Sequence, residues 1–320
     1  MNALAASASL KGVLSPLDAT AALARGLRSA GVEATELPIA DGGEGTADVL
    51  QAVLGGSWRS AVVAGPLGGP VEARWLVLPD GTAVVESAAA LGLPLLAPDE
   101  RDPLVATSRG LGELLLAAAE GATSLLVGVG GTATVDGGAG LAAVVGDRLA
   151  GVPIRVACDV RNPLLGERGA ARAFGPQKGA DTAAVEELER RLASLEALLP
   201  YRDLPGAGAG GGLGAALAAL GAELLEGAEL VLDTLEFDDR ARGARLVVTG
   251  EGTVDRTTLE GKAPGAVLRR CERIGVRCEL FGGLVQDGVP ARALSGDPAR
   301  ARDDLLALGE LLGGVLLGRT

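Results

Sequence analysis

The chain has 320 residues, 48% of them hydrophobic but only 2% aromatic, with a net charge of −12 and a pI near 4.7. That charge argues against nucleic acid and anionic membranes as partners, and no uncharged apolar run reaches the ~20 residues that span a bilayer. Histidine is absent, which removes the commonest general base, the commonest zinc ligand and every Ser-His-Asp triad.

The length suits two domains with cores of Leu, Val and Ala. The first charged side chain is Lys11, so no basic start precedes an apolar signal segment, and a cytoplasmic protein is expected. Cys158, Cys271 and Cys278 lack metal-type spacing and read as buried, reduced thiols.

In chain order, residues 2–10 read as a strand ending in a loop at Ser7-Ala8-Ser9. Ser15-Pro16-Leu17-Asp18 is a helix start, with serine as N-cap and proline in the first turn, and Gly31 is the stop. After a strand at 33–37, Asp41-Gly42-Gly43-Glu44-Gly45-Thr46 occupies a strand-to-helix junction. Asp-Gly-Gly alone is an ordinary turn, but Glu-Gly-Thr following it points to a site. Alternation over 71–78, a Pro79-Asp80-Gly81 turn and residues 82–86 predict an antiparallel hairpin, and a second domain is placed to begin near residue 60. A helix follows over 111–120.

The apolar run Leu125–Val129 then breaks into Gly130-Gly131-Thr132-Ala133-Thr134-Val135-Asp136-Gly137-Gly138-Ala139-Gly140, and 141–145 reads as helix. Strand, small-residue loop, helix is an arrangement that points free backbone N–H groups at an anion. The strand at 154–158 ends in Asp159, at the edge where α/β sheets bind ligands. Phe174-Gly175-Pro176-Gln177-Lys178-Gly179-Ala180 precedes a charged helix over 182–199. The glycine-rich residues 205–214 suit a linker, though the helix expected at 215–225 favours a tight loop packed at a domain interface.

A second strand-loop-helix follows. Residues 245–248 lead into Thr249-Gly250-Glu251-Gly252-Thr253-Val254-Asp255, and Gly261-Lys262-Ala263-Pro264 opens a helix over 266–274. A strand at 278–281 and a helix at 302–312 close the chain. Two such loops, each with carboxylates, predict a phosphate-and-metal site. Neither carries GxGxxG spacing, and 258–263 lacks the first glycine and final hydroxyl of a Walker A loop.

The chain has twenty-six arginines but only three lysines, Lys11, Lys178 and Lys262, each beside a glycine. An ammonium is a compact point charge that suits phosphate in a crowded loop, where a guanidinium is too broad.

Together, residues 40–46, 130–140, 157–160, 174–180, 249–252 and 261–264 resemble, in order, the motifs of the bacterial type I glycerate kinases. The likeness runs from about residue 5 to 275. It implies an α/β protein of two domains, one Rossmann- or flavodoxin-like with a parallel sheet (1–60 plus 245–320) and a mixed α/β domain (61–244) inserted in it. It implies ATP-dependent phosphorylation of glycerate, commonly at the 2-hydroxyl, with Mg²⁺, in the cleft between the domains. The expected assembly is a monomer or homodimer.

On that reading Lys262, Lys11 and Lys178 supply charge to phosphate, and the backbone of Gly130, Gly131, Thr132 and Thr134, with Gly250 and Gly252, cradles phosphate or carboxylate. Glu251 and Asp255 are the Mg²⁺ candidates, and Asp159, Asp136 or Asp41 serves as base. The chain departs from the family in length, at Ala8, where the family carries an acid, and at Val135, where it carries asparagine. Those departures motivate two alternatives: an impaired relative that binds an anion or nucleotide, and a kinase for another small hydroxy acid.

Overall fold

The computed structural model describes residues 1–319. Its strands are β1 (Asn2–Ser7), β2 (Glu33–Glu36), β3 (Ser57–Ala64), β4 (Pro70–Val77), β5 (Thr82–Glu86), β6 (Ser124–Gly128), β7 (Ile154–Cys158), β8 (Glu223–Glu226), β9 (Leu246–Val254), β10 (Cys278–Val285) and β11 (Arg292–Ala293). They form two sheets in two compact α/β units. Among the described residues no helix is long and apolar enough to cross a membrane.

The first unit comprises Met1–Asp41, Asp48–Val53 and the chain from Ala228 onward. Its sheet is wholly parallel, in the order β11-β10-β9-β1-β2. Alternate residues Ala3 and Ala5 of β1, and Leu246 and Val248 of β9, share a core with Leu23, Leu27, Leu305 and Leu312. That period of two meets the period of the helices Pro16–Ser29 and Ala301–Leu316.

The first of these helices starts as its sequence dictates. The Asp18 N–H donates to the Ser15 hydroxyl at 3.1 Å, and proline sits in the first turn. Glycines let the two helices meet. A Cβ on Gly26 would lie 2.0 Å from the Leu306 carbonyl oxygen, and one on Gly309 would lie 2.4 Å from that of Leu23. The C-terminal Leu-Gly pattern is therefore a helix-crossing surface.

The second unit comprises Gly42–Ala47 and Leu54–Gly227. Its sheet runs β3-β4-β5-β6-β7-β8, antiparallel from β3 to β5 and parallel from β5 to β8. Strand β3, not expected from the sequence, is an edge strand whose Val62 is exposed and carries little alternation to read. The charged helix ends at Ala193, and the end of the expected span enters a 3-10 turn, Glu196–Tyr201, that holds Pro200, a residue unable to donate to an α-helical ladder. The helix expected at 215–225 stops at Ala219, its regular turns beginning after the left-handed Gly210, Gly211 and Gly212, and Glu223–Glu226 is recruited to the edge of β7. Pairing overrides local propensity there.

Helices Gly227–Thr234 and Phe237–Arg242 pack in the first unit, so the second unit ends at Gly227 and not near 244. Arg270, on the helix Ala263–Ile274 and only 5% exposed, holds them. Its Nε donates to Glu229 Oε2 at 2.7 Å, and its Nη2 donates to the Glu229 carbonyl at 3.0 Å and to Asp233 Oδ1 at 2.5 Å. Removing one partner of a buried pair strands the others. Arg270→Met is expected to cost about 2–3 kcal/mol in urea unfolding, at the low end because Asp233 is solvated.

Candidate active site

In the first unit, the parallel strands deliver three segments to one cavity of about 460 Å³. The turn after β1 brings Lys11, the segment after β2 brings Asp41, and β9 with the following helix brings Glu251, Gly252 and Lys262. Lys262 Nζ lies 3.2 Å from Glu251 Oε1 and 3.8 Å from Asp255 Oδ1. Lys262 is also the N-cap of the helix Ala263–Ile274, whose positive end therefore adds to its charge. Among the described residues, no acid comes within ion-pair reach of Lys11, which is exposed at the cavity.

Glu251 is anchored by the Thr258 hydroxyl, which donates to Oε1 at 2.6 Å. Its other oxygen makes no hydrogen bond to a described residue. Asp255 is differently employed. It caps the helix Arg256–Gly261 by accepting the Thr258 N–H at 3.0 Å, and it does not line the cavity. The Thr257 hydroxyl holds its carboxyl below the usual range, helped by the Thr258 amide and the Lys262 charge. Among the described residues no cluster of three or more acids or cysteines forms a metal cage.

The expected loop at 249–255 is largely strand. Residues Gly250 and Thr253 sit in register with Phe281 and Leu284 of β10. Gly250 is there for closeness, since a Cβ would fall 2.2 Å from the Phe281 carbonyl oxygen, and it is absent from the cavity wall. Gly252 does line the cavity, its N–H donating to the Ser9 carbonyl at 3.3 Å. Sequence reasoning missed Asp297 and Asp304, which also line the cavity. They lie in turn and helix-start positions, where acids ordinarily cap.

In the second unit the loop 129–138 joins β6 to the helix Ala139–Val145, as the strand-loop-helix pattern predicts. Asp136 is its brace. Oδ2 accepts the Ser108 N–H at 2.8 Å, the Ser108 hydroxyl at 2.7 Å and the Gly140 N–H at 3.2 Å, and Oδ1 accepts the Gly138 N–H at 3.0 Å. A carboxylate so committed shapes the loop, its Oδ2 filled by three donors and its Oδ1 holding one. Ser108 was missed because a hydroxyl before a helix reads as its cap.

Lys178 lies beneath this loop, 4% exposed. Its Nζ donates to the Thr134 carbonyl at 2.8 Å and to the Thr132 hydroxyl at 3.2 Å. Burial pushes its pKa down to about 7, against the pull of the Asp136 charge. Among the described residues, the amides of Gly130, Gly131 and Thr132 have no hydrogen-bond partner, and the buried Thr134 hydroxyl has none either. Asp159 stands exposed just past the end of β7. Cys158 beside it is buried, which pushes its thiol up to about 12 and leaves it inert.

Of the two residue departures from the family pattern, one lies within the loop 129–138 and the other just after β1. Val135 is 1% exposed and packs in an apolar cluster with Leu164, Leu188 and Ala216. Ala8 is buried after β1 and does not line the cavity. The glycine-rich 205–214 is no linker, because Gly211 packs directly on Thr134.

The profile of the glycerate kinase family matches residues 3–150 and 145–297. A glycerate 2-kinase of Escherichia coli K12 is 42% identical over 305 residues, covering 82% of this chain and 80% of its own. A glycerate kinase of Bacillus subtilis 168 is 39% identical over 317 residues, covering 86% and 83%. A crystal structure from Salmonella typhimurium LT2, of a protein provisionally named glycerate kinase 2, superposes with a TM-score of 0.87 at 33% identity, covering 99% of this chain and 98% of its own.

Proposed function

The chain belongs to the glycerate kinase family, and from that premise we propose that it transfers the terminal phosphoryl group of ATP to D-glycerate, giving 2-phosphoglycerate. The observation that carries this reading is the meeting of Lys11, without an acid partner among the described residues, with Lys262 and Glu251 in one cavity. Phosphoryl transfer asks for in-line positioning and for neutralisation of charge more than for covalent chemistry. Lys262, Lys11 and the positive end of the helix Ala263–Ile274 supply fixed positive charge for a polyphosphate tail.

A Mg²⁺ ion would contribute further charge neutralisation. The donor set fits one, because Mg²⁺ commonly uses one or two carboxylates with phosphate and water completing its shell. Glu251 is the residue to hold it, through the oxygen not occupied by Thr258 and Lys262. Asp255 is the weaker candidate, its Oδ1 being used by the cap. Of the three acids considered for the base, Asp136 is engaged by the loop, and Asp41, at the cavity wall, is preferred over Asp159 for orienting the acceptor hydroxyl.

The test is release of ADP from ATP with D-glycerate and Mg²⁺, with the phosphorylated position read by ³¹P NMR. Turnover with D-glycerate is expected. Absence of turnover across a panel of small hydroxy acids would leave only a binding role.

A further inference from the structure

We infer that Lys178 is a positioning residue that makes the loop 129–138 a receptor for the carboxylate of the acceptor. The inference rests on the kinase reading above and names which end of the substrate this loop takes. Its starting point is a buried charge that no carboxylate among the described residues bonds directly, the Asp136 charge acting on it only from farther off. Lys178 is almost fully buried, yet both of its hydrogen-bond acceptors, the Thr134 carbonyl and the Thr132 hydroxyl, are neutral. An ammonium carries three N–H donors, and two are used.

The loop above it has the complementary deficit. The amides of Gly130, Gly131 and Thr132 lack partners among the described residues, and so does the hydroxyl of Thr134 at 0% exposure. Gly131 is exposed and Gly130 half-buried, so these two residues face solvent, whereas Thr132 and Thr134 are buried beneath them. A Cβ on Gly130 would come into ordinary contact with the Gly43 backbone at 3.6 Å, so a methyl group fits there without displacing anything. Unpaired amides, an unpaired hydroxyl and a buried cation all call for an oxyanion.

The charge balance selects which one. With the Asp136 charge already near the ammonium, the loop accommodates at most a single negative charge, that of one carboxylate, and not a phosphate tail. A polyphosphate tail carries several charges, and the cavity of the first unit already offers two lysines and an acid for it. Lys178 acts through Thr132 and Thr134, holding the loop backbone in place and setting its potential.

A consequence is linkage to protons. The Lys178 pKa is about 7. The charged groups near it are Asp136 in the loop, Arg101, whose backbone packs on Gly179, and Asp181, which caps the following helix. An anion arriving at the loop favours the protonated ammonium. Below the pKa the ammonium is already charged and affinity is flat. Above it, binding takes up a proton and affinity falls as pH rises.

The experiment is the pH profile of KM for D-glycerate and for ATP in the wild-type enzyme, Lys178→Met and Lys178→Arg, with calorimetric proton uptake on D-glycerate binding in two buffers. In the wild type, KM for glycerate should stay flat below about pH 6.5 and rise about tenfold per unit above about pH 7.5, with KM for ATP not following. Lys178→Met, which fills the same space without charge, should raise KM for glycerate about 30- to 100-fold at pH 6.5 and abolish its pH dependence, with kcat within a few-fold. Lys178→Arg should recover only part of the affinity, because the guanidinium is broader than the buried space the ammonium fills, and what it recovers should not titrate, because a guanidinium does not deprotonate.

A flat wild-type profile, a titration seen in KM for ATP instead, or equal losses of kcat and both affinities in Lys178→Met overturns the proposal. Proton uptake on the wild type reports even if both variants fail to fold. Uptake with glycerate but no turnover would keep the carboxylate site and sink the kinase reading.

Discussion

Lys262→Met is expected to lower kcat by about a thousandfold while leaving the fold intact. Removing one preorganised donor to developing charge typically costs 10²–10³ in kcat, and a full cation facing a phosphoryl group belongs at the upper end. The ammonium contacts Glu251 at 3.2 Å, so the same substitution also leaves that carboxylate without its nearest cation. Glu251 keeps the Thr258 hydroxyl, and the pair is partly solvated, so stability should change by less than about 1 kcal/mol. Lys262→Arg should recover only a small part of the rate, because a planar fork does not reproduce a point charge at the N-cap of the helix Ala263–Ile274. Circular dichroism melts alongside steady-state kinetics separate the two effects. A variant that keeps more than about a tenth of wild-type kcat would remove Lys262 from the phosphate-binding set.

The reading of the sequence succeeded where local chemistry decides structure. Ser15 and Pro16 announced a helix, and the apolar run to Val129 followed by small residues announced strand-loop-helix. The three spared lysines were legible for the same reason. Composition alone set them apart, and the structure places Lys11 and Lys262 at one cavity and Lys178 beneath the central loop. What stayed hidden depends on partners far along the chain. Gly250 and Glu251 carry the texture of a loop, and only the register with β10 makes them strand. Asp136 has the look of a catalytic acid until Ser108, twenty-eight residues earlier, is seen to occupy it. Val135 seemed a lost polar group, because a loop sequence does not reveal which side chains turn inward. A carboxylate's role is set by what donates to it, and donors are a tertiary property.

Gly211→Ala tests how tightly the central loop is built. Gly211 has φ +77°, and a Cβ there would fall 2.0 Å from the Thr134 carbonyl oxygen and 2.8 Å from the Val135 Cα. Both obstacles are backbone, so no rotamer change relieves them. The left-handed conformation costs about 1–2 kcal/mol for a residue with a side chain, and overpacking adds about 1–3 kcal/mol. A total loss near 3–4 kcal/mol is expected in urea unfolding.

The same carbonyl accepts the Lys178 ammonium, and the Gly137 N–H donates to the Gly211 carbonyl at 3.1 Å. Displacing Thr134 therefore disturbs both supports of the loop at once. Affinity for the acceptor should fall by at least tenfold, with affinity for the nucleotide much less affected. Gly130→Ala is the contrast, because a Cβ there meets nothing closer than 3.6 Å. It should cost less than about 1 kcal/mol in stability while crowding the amides that face the ligand. If Gly211→Ala unfolds at the wild-type midpoint, the loop is softer than its packing implies, and Lys178 has no fixed backbone to act through.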